Sequence, residues 1–449
     1  MNLTRAITRA ITQPLSRSIT SPPIGGGGAL AVPSGFGWTP PVNVYKSGST
    51  YSTDYDPTPF LVEGDPGVTT YYVDSATGSE ANPGTAALPK KSLRNITASR
   101  TTKLLIKARG TFYYAVTGPI FMSHDTLCVE AWGGASCVLT MEADPASPFV
   151  WTDEGGGVWS APSVNAGTDR IAAYSGTDIE SLVYYPVAAS LAACQATPGT
   201  IFRTTGPIKH YVHTLTGASP ASGHTVFGAN GNAGSFLVGS YAYDQACQFI
   251  GVDFRGGDAA FAVTDASIYT KRIDFVNCSF KYADTFAALH GTGSTTIVTY
   301  QCTAGPSRYD GFAYTAAGGQ VPKALEIENV GRNCGHTSSA NQGSTTHQGG
   351  KVVRVGGQYY ENANDQVCDV NASTRSWNLG VTVGPKGIGS GFSGFSVGND
   401  GDPAMYLDGC TFVGLDNEVH TTAASAVIYY RNMPAPVAKT GSTGTITTY

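Results

Sequence analysis

Six carboxylates, Asp310, Glu326, Glu328, Glu361, Asp365 and Asp369, fall in one stretch of this 449-residue sequence. Two carboxyl groups about 5 to 10 Å apart across a cleft are what acid/base cleavage of a sugar acetal requires. Glu326, Glu328, Asp310 and Asp365 are therefore the candidate catalytic residues. In LEIENV, strand alternation puts Glu326 and Glu328 on one outward side, with Arg354 of VRVGGQ roughly one repeat above. An acid pair beside an arginine suits a lyase or a hydrolase. It suits an ordinary cross-strand ion pair on a solvated face equally well, and structural networks of that kind are the more frequent case.

The same stretch carries groups that hold sugars without cleaving them. Aromatic rings stack on C–H faces, and amides or carboxylates pair with hydroxyls. Tyr309, Tyr314, Tyr359, Tyr360, Trp377, Asn362, Asn364 and Asp365 cluster within a few consecutive repeats. Tyr360 and Trp377 are the expected platforms and Arg354 the expected contact for an acidic sugar, with Tyr314, Asn362, Asp365 and His347 around them. Core filler or a subunit interface accounts for each aromatic at least as well, because aromatics are enriched at any interface; the clustering favours a ligand. His336 and His347 lie in CGHTSSANQGSTTHQGG, a polar loop of the kind that carries contacts on a rigid scaffold. No acid sits beside either histidine, so no metal is expected, and nothing in the sequence asks for a cofactor.

These residues ride on short strands that recur. VDFRGG, IDFVNC, IVTYQC, LEIENV, VRVGGQ, LGVTVG, MYLDGC and VIYYRN start at Val252, Ile273, Ile297, Leu325, Val353, Leu379, Met405 and Val427, every 21 to 28 residues. Each alternates apolar and polar residues, ends near Gly, Asn or Cys and runs into turn-rich sequence, which is the pattern of a solenoid coil. A leucine-rich repeat would show fixed leucines and a helical half; neither is present, and a parallel β-helix is the expected fold. Each coil adds a layer of about 4.8 Å, so these starts imply a rod on the order of 40 Å. Ile273, Phe275, Ile297, Leu325, Ile327, Val353 and Val355 are expected to point inward. Cys278, Cys302 and Cys410 are expected to form a thiol ladder just after the first strand of their coils.

Composition agrees with this reading. Charged residues are 13% of the chain, about half the usual fraction, while Gly numbers 56 and aromatics reach 10%. A net charge of −5 without a basic run lacks the footprint of a nucleic-acid binder. The nine cysteines are scattered singly, which favours buried free thiols over disulfides or zinc. No signal-peptide core and no apolar run of about 18 residues occurs; synthesis in a reducing cytoplasm without membrane insertion is expected.

The opening MNLTRAITRAITQPLSRSIT sets Leu3, Ile7, Ile11, Leu15 and Ile19 at steps of four, one helical stripe interrupted by Pro14. So few apolar residues cannot close a core alone, which marks a segment that orders on a partner; a membrane-surface helix or a frayed tail is the alternative. Residues 1–28 read as an anchor peptide and glycine linker, 29–68 as an extended arm and 69–150 as the opening coils. Coil spacing lapses over 151–246, an inserted small β subdomain; 247–433 is the main β-helix and 434–449 a C-terminal tail.

Several phrases resemble one family. YYVDSATGSEANPGT is similar to the start of pectate-lyase-like β-helices of phage tailspikes and related virion or gene-transfer-agent head and tail spikes. ATPGTIFRTTGPIKHYVHTLTG resembles the small β insertion that some of them carry, and DGFAYT…NQGSTTHQGGKVVRVGGQYYENANDQVCDVNASTRSWNLG a block late in their helices; together these cover most of 69–433. The Arg-containing N-terminal repeat resembles their particle-attachment peptides. The resemblance implies an all-β right-handed parallel β-helix and a homotrimer, held on a virion or virus-like particle through the stripe from Leu3 to Ile19. Its long faces would meet bacterial capsule or O-antigen. Many relatives cleave that polysaccharide and others only hold it. In their block the His of the STTH phrase precedes an acid, and DGF continues with Asn, Tyr and His. Here Gln348 follows His347, and Ala313 and Thr315 flank Tyr314, which removes one carboxylate and one imidazole from acid/base service. A non-catalytic spike that binds polysaccharide for adsorption is the leading expectation, a tailspike-type hydrolase or lyase the second, and a purely structural spike the third.

Overall fold

A computed structural model of the chain describes residues 28–97, 102–114, 124–142, 149–162, 170–176, 180, 182–221, 224–229, 236–238, 244–263, 269, 271–335, 341–387 and 393–449. Leu3, Ile7, Ile11, Leu15, Ile19 and His336 lie outside these residues. The described chain is almost entirely strand, wound as a parallel β-solenoid of about ten turns. A first wall stacks from Thr69–Asp74 through Lys103–Tyr113, Thr126–Ala131 and Gln245–Ile250 up to Val427–Arg431 and Thr445–Thr448. A second runs from Cys137–Thr140 to Thr411–Phe412, and a third from Phe236–Val238 to Asn417–Thr421.

One turn type repeats up the rod. Where the first wall bends into the second, Gly251, Asn277, Gln301, Glu328, Gly356, Gly380, Gly409 and Asn432 all take the left-handed conformation, with φ from 52° to 69°. Gly has no Cβ to clash there and Asn tolerates the region, so Asn277, Gly356, Gly409 and Asn432, at the ends of their sequence repeats, are corner residues.

Like residues then stack at rung spacing. Phe249 lies on Phe275 with ring centroids 5.3 Å apart, and Phe254 on Phe280 at 5.4 Å, both nearly parallel. The thiols of Cys278, Cys302 and Cys410 each donate to a carbonyl of the turn below, from Phe249, Phe275 and Asn378, at 3.3 to 3.4 Å. All nine cysteines are free and buried, as the sequence suggests.

Two segments depart from the coil. Between the Cys137–Thr140 and Gln245–Ile250 strands the chain leaves to build antiparallel sheets. One orders Thr152–Gly155, Val158–Pro162, Lys209–His213 and Thr200–Arg203; the other joins Val183–Tyr184, Arg170–Ser175 and His224–Ala229. Residues 29–63 lie along the outer face of the first wall. Phe36 and Tyr51 pack with Trp377, Leu379 and Tyr406 near the top; Tyr55 meets Tyr300 lower down, and Leu61 meets Leu105 and Cys128 at the base. Tyr51 donates to Asp408 at 2.6 Å and Tyr55 to Asp274 at 2.9 Å.

This arm explains a register correction. Val252 opens a second-wall strand, and Ile297 pairs with Ala324, not Leu325. A one-residue slip exchanges every inward and outward side chain. Ile273, Phe275 and Ile297 do point into the solenoid, but Leu325, Ile327, Val353 and Val355 point outward beneath the arm. A strand buried on both faces carries apolar residues on both, so alternation cannot choose between them.

Candidate functional site

The slip relocates the acid pair. Glu326 lies inside the solenoid in register with Thr299 below and Arg354 above, which in turn sits below Asn378. Its carboxylate accepts from Tyr359 at 2.5 Å and Ser344 at 2.7 Å. Arg354 lies 3.3 Å from Glu326 and 3.4 Å from Asp369, and donates to Asn378 and Thr346 at 3.1 Å each. Burial opposes the guanidinium charge, but the Asp369 and Glu326 carboxylates carry its pKa above the ordinary value. Glu328 is instead an exposed corner residue accepting from Gln301 at 2.7 Å. The expected Glu326/Glu328 pair facing one outer cleft is therefore wrong.

Several expected sugar contacts are also structural. Arg354, Tyr314 and Asn362 are fully buried in the coil, and Trp377 is fully buried under the arm with its ring 6.4 Å from Phe36. Asn362 bridges rungs, accepting from the Cys334 amide at 3.1 Å and donating to the Gly331 carbonyl at 3.1 Å. Tyr360 is half-buried on the outer face of the second wall beside Arg332.

What remains groups at one margin, where the turn after the second wall enters the third. Third-wall pairing of Phe312, Ser344 and Val367 places Asp310, Gln342 and Asp365 in one column, two residues earlier. Asp310 accepts the Gln342 amide at 2.7 Å, and Asp365 the Ser393 amide at 2.6 Å. Gly311 lets these rungs close: a Cβ there would lie 2.4 Å from the Gly343 carbonyl oxygen. The two carboxyls are two rungs apart, roughly 10 Å. Burial pushes the Asp310 carboxyl up to about 7, against the Gln342 amide that lowers it.

Clefts follow this margin. One of about 510 Å³ lies among Asn333, Gly335, Glu361, Ala363 and Lys386. Another of about 280 Å³ on the third wall gathers Asp365, Asn364 and His347 with His420 and Lys439. The imidazole of His347 lies 3.1 Å from the Thr345 hydroxyl. Burial lowers the pKa of His347 in spite of Asp369, and burial and Lys439 lower that of His420. Burial and His347 hold His290 down at about 4, so these imidazoles are neutral at pH 7 and can donate or accept.

Phe286, 48% exposed, sits one rung below Tyr309 on the same margin and stacks on His290 at 5.1 Å. Phe286, His420 and Lys439 are not among the residues expected from the sequence. Phe286 lies in a turn between strands, where a large ring has no core to fill, and that placement was the available signal. Among the described residues no group of three or more His, Cys, Asp or Glu could hold a metal, and no helix is long and apolar enough to cross a membrane.

No protein-family model and no curated protein matches the sequence. Among solved structures, the chain is similar to one described as a glycoside hydrolase, at 8% identity and a TM-score of 0.48, over 84% of this chain and 96% of that one. It is also similar to XylC in complex with xylose, at 11% identity and 0.43, over 83% and 76%. A GH136 lacto-N-biosidase from Eubacterium ramulus aligns at 9% identity and 0.22, over 84% and 66%. At such identities no residue of this chain takes a role from these neighbours.

Proposed function

We propose that this chain is a polysaccharide-binding spike of a virion or virus-like particle, a homotrimer that holds bacterial capsule or O-antigen along the margin between its second and third walls. The observation that carries the reading is the run of Phe286, Tyr309, Asp310, Asn364 and Asp365 along that margin, with Tyr309, Asn364 and Asp365 lining clefts, one of which reaches His347 on the third wall. Rings supply stacking faces and the acids, amides and neutral imidazoles supply partners for hydroxyls. The rungs from Thr285 to Lys386 extend on the order of 20 Å, room for several sugars in extended form. The particle role rests on the N-terminal repeat and the family resemblance. Incubating the purified protein with capsule or O-antigen from candidate hosts tests the binding; the absence of retention, or retention that free polysaccharide does not compete away, contradicts it.

A second reading, depolymerisation, draws on one observation. Asp310 keeps its proton near neutral pH, and Asp365 lies two rungs away, at the wide end of the ~6.5–9.5 Å spacing of inverting hydrolases. Asp310 would then protonate the leaving oxygen while Asp365 activates water. Release of reducing ends that Asp310→Asn abolishes supports this reading, and intact polysaccharide after prolonged incubation overturns it.

A further inference from the structure

The cleft of about 280 Å³ on the third wall is at the small end of the ~300–1,000 Å³ usual for ligand sites. Its floor is a single outward column. Phe395, Val397 and Val419 point into the core, so Ser396 and His420 point out, and the register stacks Cys368, Ser396 and His420 on successive rungs. The bridge between Val419 and Ala438 sets Lys439 on the rung above His420. Asp365 lines the lower edge, just before the strand that carries Cys368. Four groups of this cleft are left unmet by the described residues. The Ser396 hydroxyl, 3% exposed, makes no hydrogen bond; its polar neighbour is the Cys368 thiol, a weak partner. Asp365, 6% exposed, accepts the Ser393 amide on Oδ1 at 2.6 Å, and nothing bonds its Oδ2. The Lys439 ammonium has no ion pair and the His420 ring no hydrogen bond.

We infer that this cleft takes a short zwitterionic peptide of dipeptide size, its ammonium on Asp365 and its carboxylate on Lys439, with Ser396 and His420 bonding the peptide group between them. The imidazoles of His347 and His420 are neutral at pH 7, and burial keeps the Cys368 thiol protonated. The cleft therefore presents one anion and one cation, at opposite ends. A buried charge is costly until it is paired; a simple anion or cation would meet one end and leave the other, whereas a zwitterion meets both. Three rungs of about 4.8 Å separate the backbones of Asp365 and Lys439. The lysine side chain closes part of that distance, and what remains suits charges separated by a peptide bond better than those of a single amino acid. The inference goes beyond the glycan reading and does not depend on it.

The test is equilibrium dialysis of the full chain against radiolabelled glycylglycine up to millimolar concentrations, with its N-acetyl and C-terminal amide derivatives as competitors, each lacking one charge. Expected is binding for which either derivative competes about tenfold or more weakly than the unlabelled dipeptide. Lys439→Gln should weaken glycylglycine to the level of the amide and leave the amide itself unaffected. Asp365→Asn, which keeps an acceptor for the Ser393 amide, should do the same with respect to the N-acetyl derivative. Lys103→Gln, at the far base of the rod, should change neither. No binding of glycylglycine, blocked derivatives that compete as well as the dipeptide, or full binding by Lys439→Gln overturns the inference. Unchanged thermal unfolding of the variants separates a lost contact from a lost fold. Polysaccharide retention is read separately: its absence beside intact peptide binding removes the glycan reading alone.

Discussion

Arg354 Nε lies 3.3 Å from Glu326 Oε1, one rung apart inside the solenoid, and neither side chain touches solvent. Such a pair is stable only when its remaining hydrogen bonds are met, and Tyr359, Ser344, Asn378 and Thr346 meet them. Arg354→Leu strands the Glu326 and Asp369 carboxylates in the core and is expected to cost about 3–5 kcal/mol. Adding Glu326→Gln and Asp369→Asn should recover much of that loss. Denaturant unfolding of the single and triple variants checks both expectations.

Asp310 gives a pH dependence with a definite sign. Its carboxyl titrates near 3.8 when solvated and about 7 in the fold, so the fold favours the protonated form. That contribution is complete below the solvated value and is lost as pH rises through about 7. Asp310→Asn keeps an acceptor for the Gln342 amide and cannot ionise. It should match the wild type at pH 4 and exceed it by about 1–3 kcal/mol at pH 8.5, read from melts at the two pH values.

The fold itself was legible because its signals repeat. The Gly and Asn corners, the phenylalanine stacks and the cysteine ladder recur at every few dozen residues, and each occurrence reinforces the others. Facing was not legible beyond Ile297, because the arm buries Leu325, Val353 and Trp377 from outside and erases the contrast between wet and dry sides of the strand. The site suffered accordingly: Arg354 and Trp377 look like ligand contacts by residue type and are buried by register, while Tyr314 is core on the third wall. Asp310, Asp365 and His347 flank the third wall, where the alignment error does not reach.

Phe286 offers its ring to solvent on the margin. Phe286→Ala should weaken glycan retention by a few-fold to about tenfold, as expected for an aromatic contact of about 0.5–1.5 kcal/mol, and change unfolding by less than about 0.5 kcal/mol. Affinity electrophoresis beside a melt separates the two effects.

The thiols should be inert in the folded protein. Burial pushes Cys128, Cys137, Cys247 and Cys410 up to about 12, which leaves almost no thiolate at pH 8. A disulfide reagent should label these four slowly before denaturation and all nine cysteines promptly after it.

The arm also decides which way the rod faces. Residues 30–36 begin beside Trp377, Tyr406 and Tyr449, and only afterwards does the chain descend the wall to start its first coil at Thr69. Both the earliest described residues and the last therefore sit at one end. A particle gripping the segment before residue 28 would hold the closing coils close to itself and point the opening coils, from Thr69–Asp74, away from it.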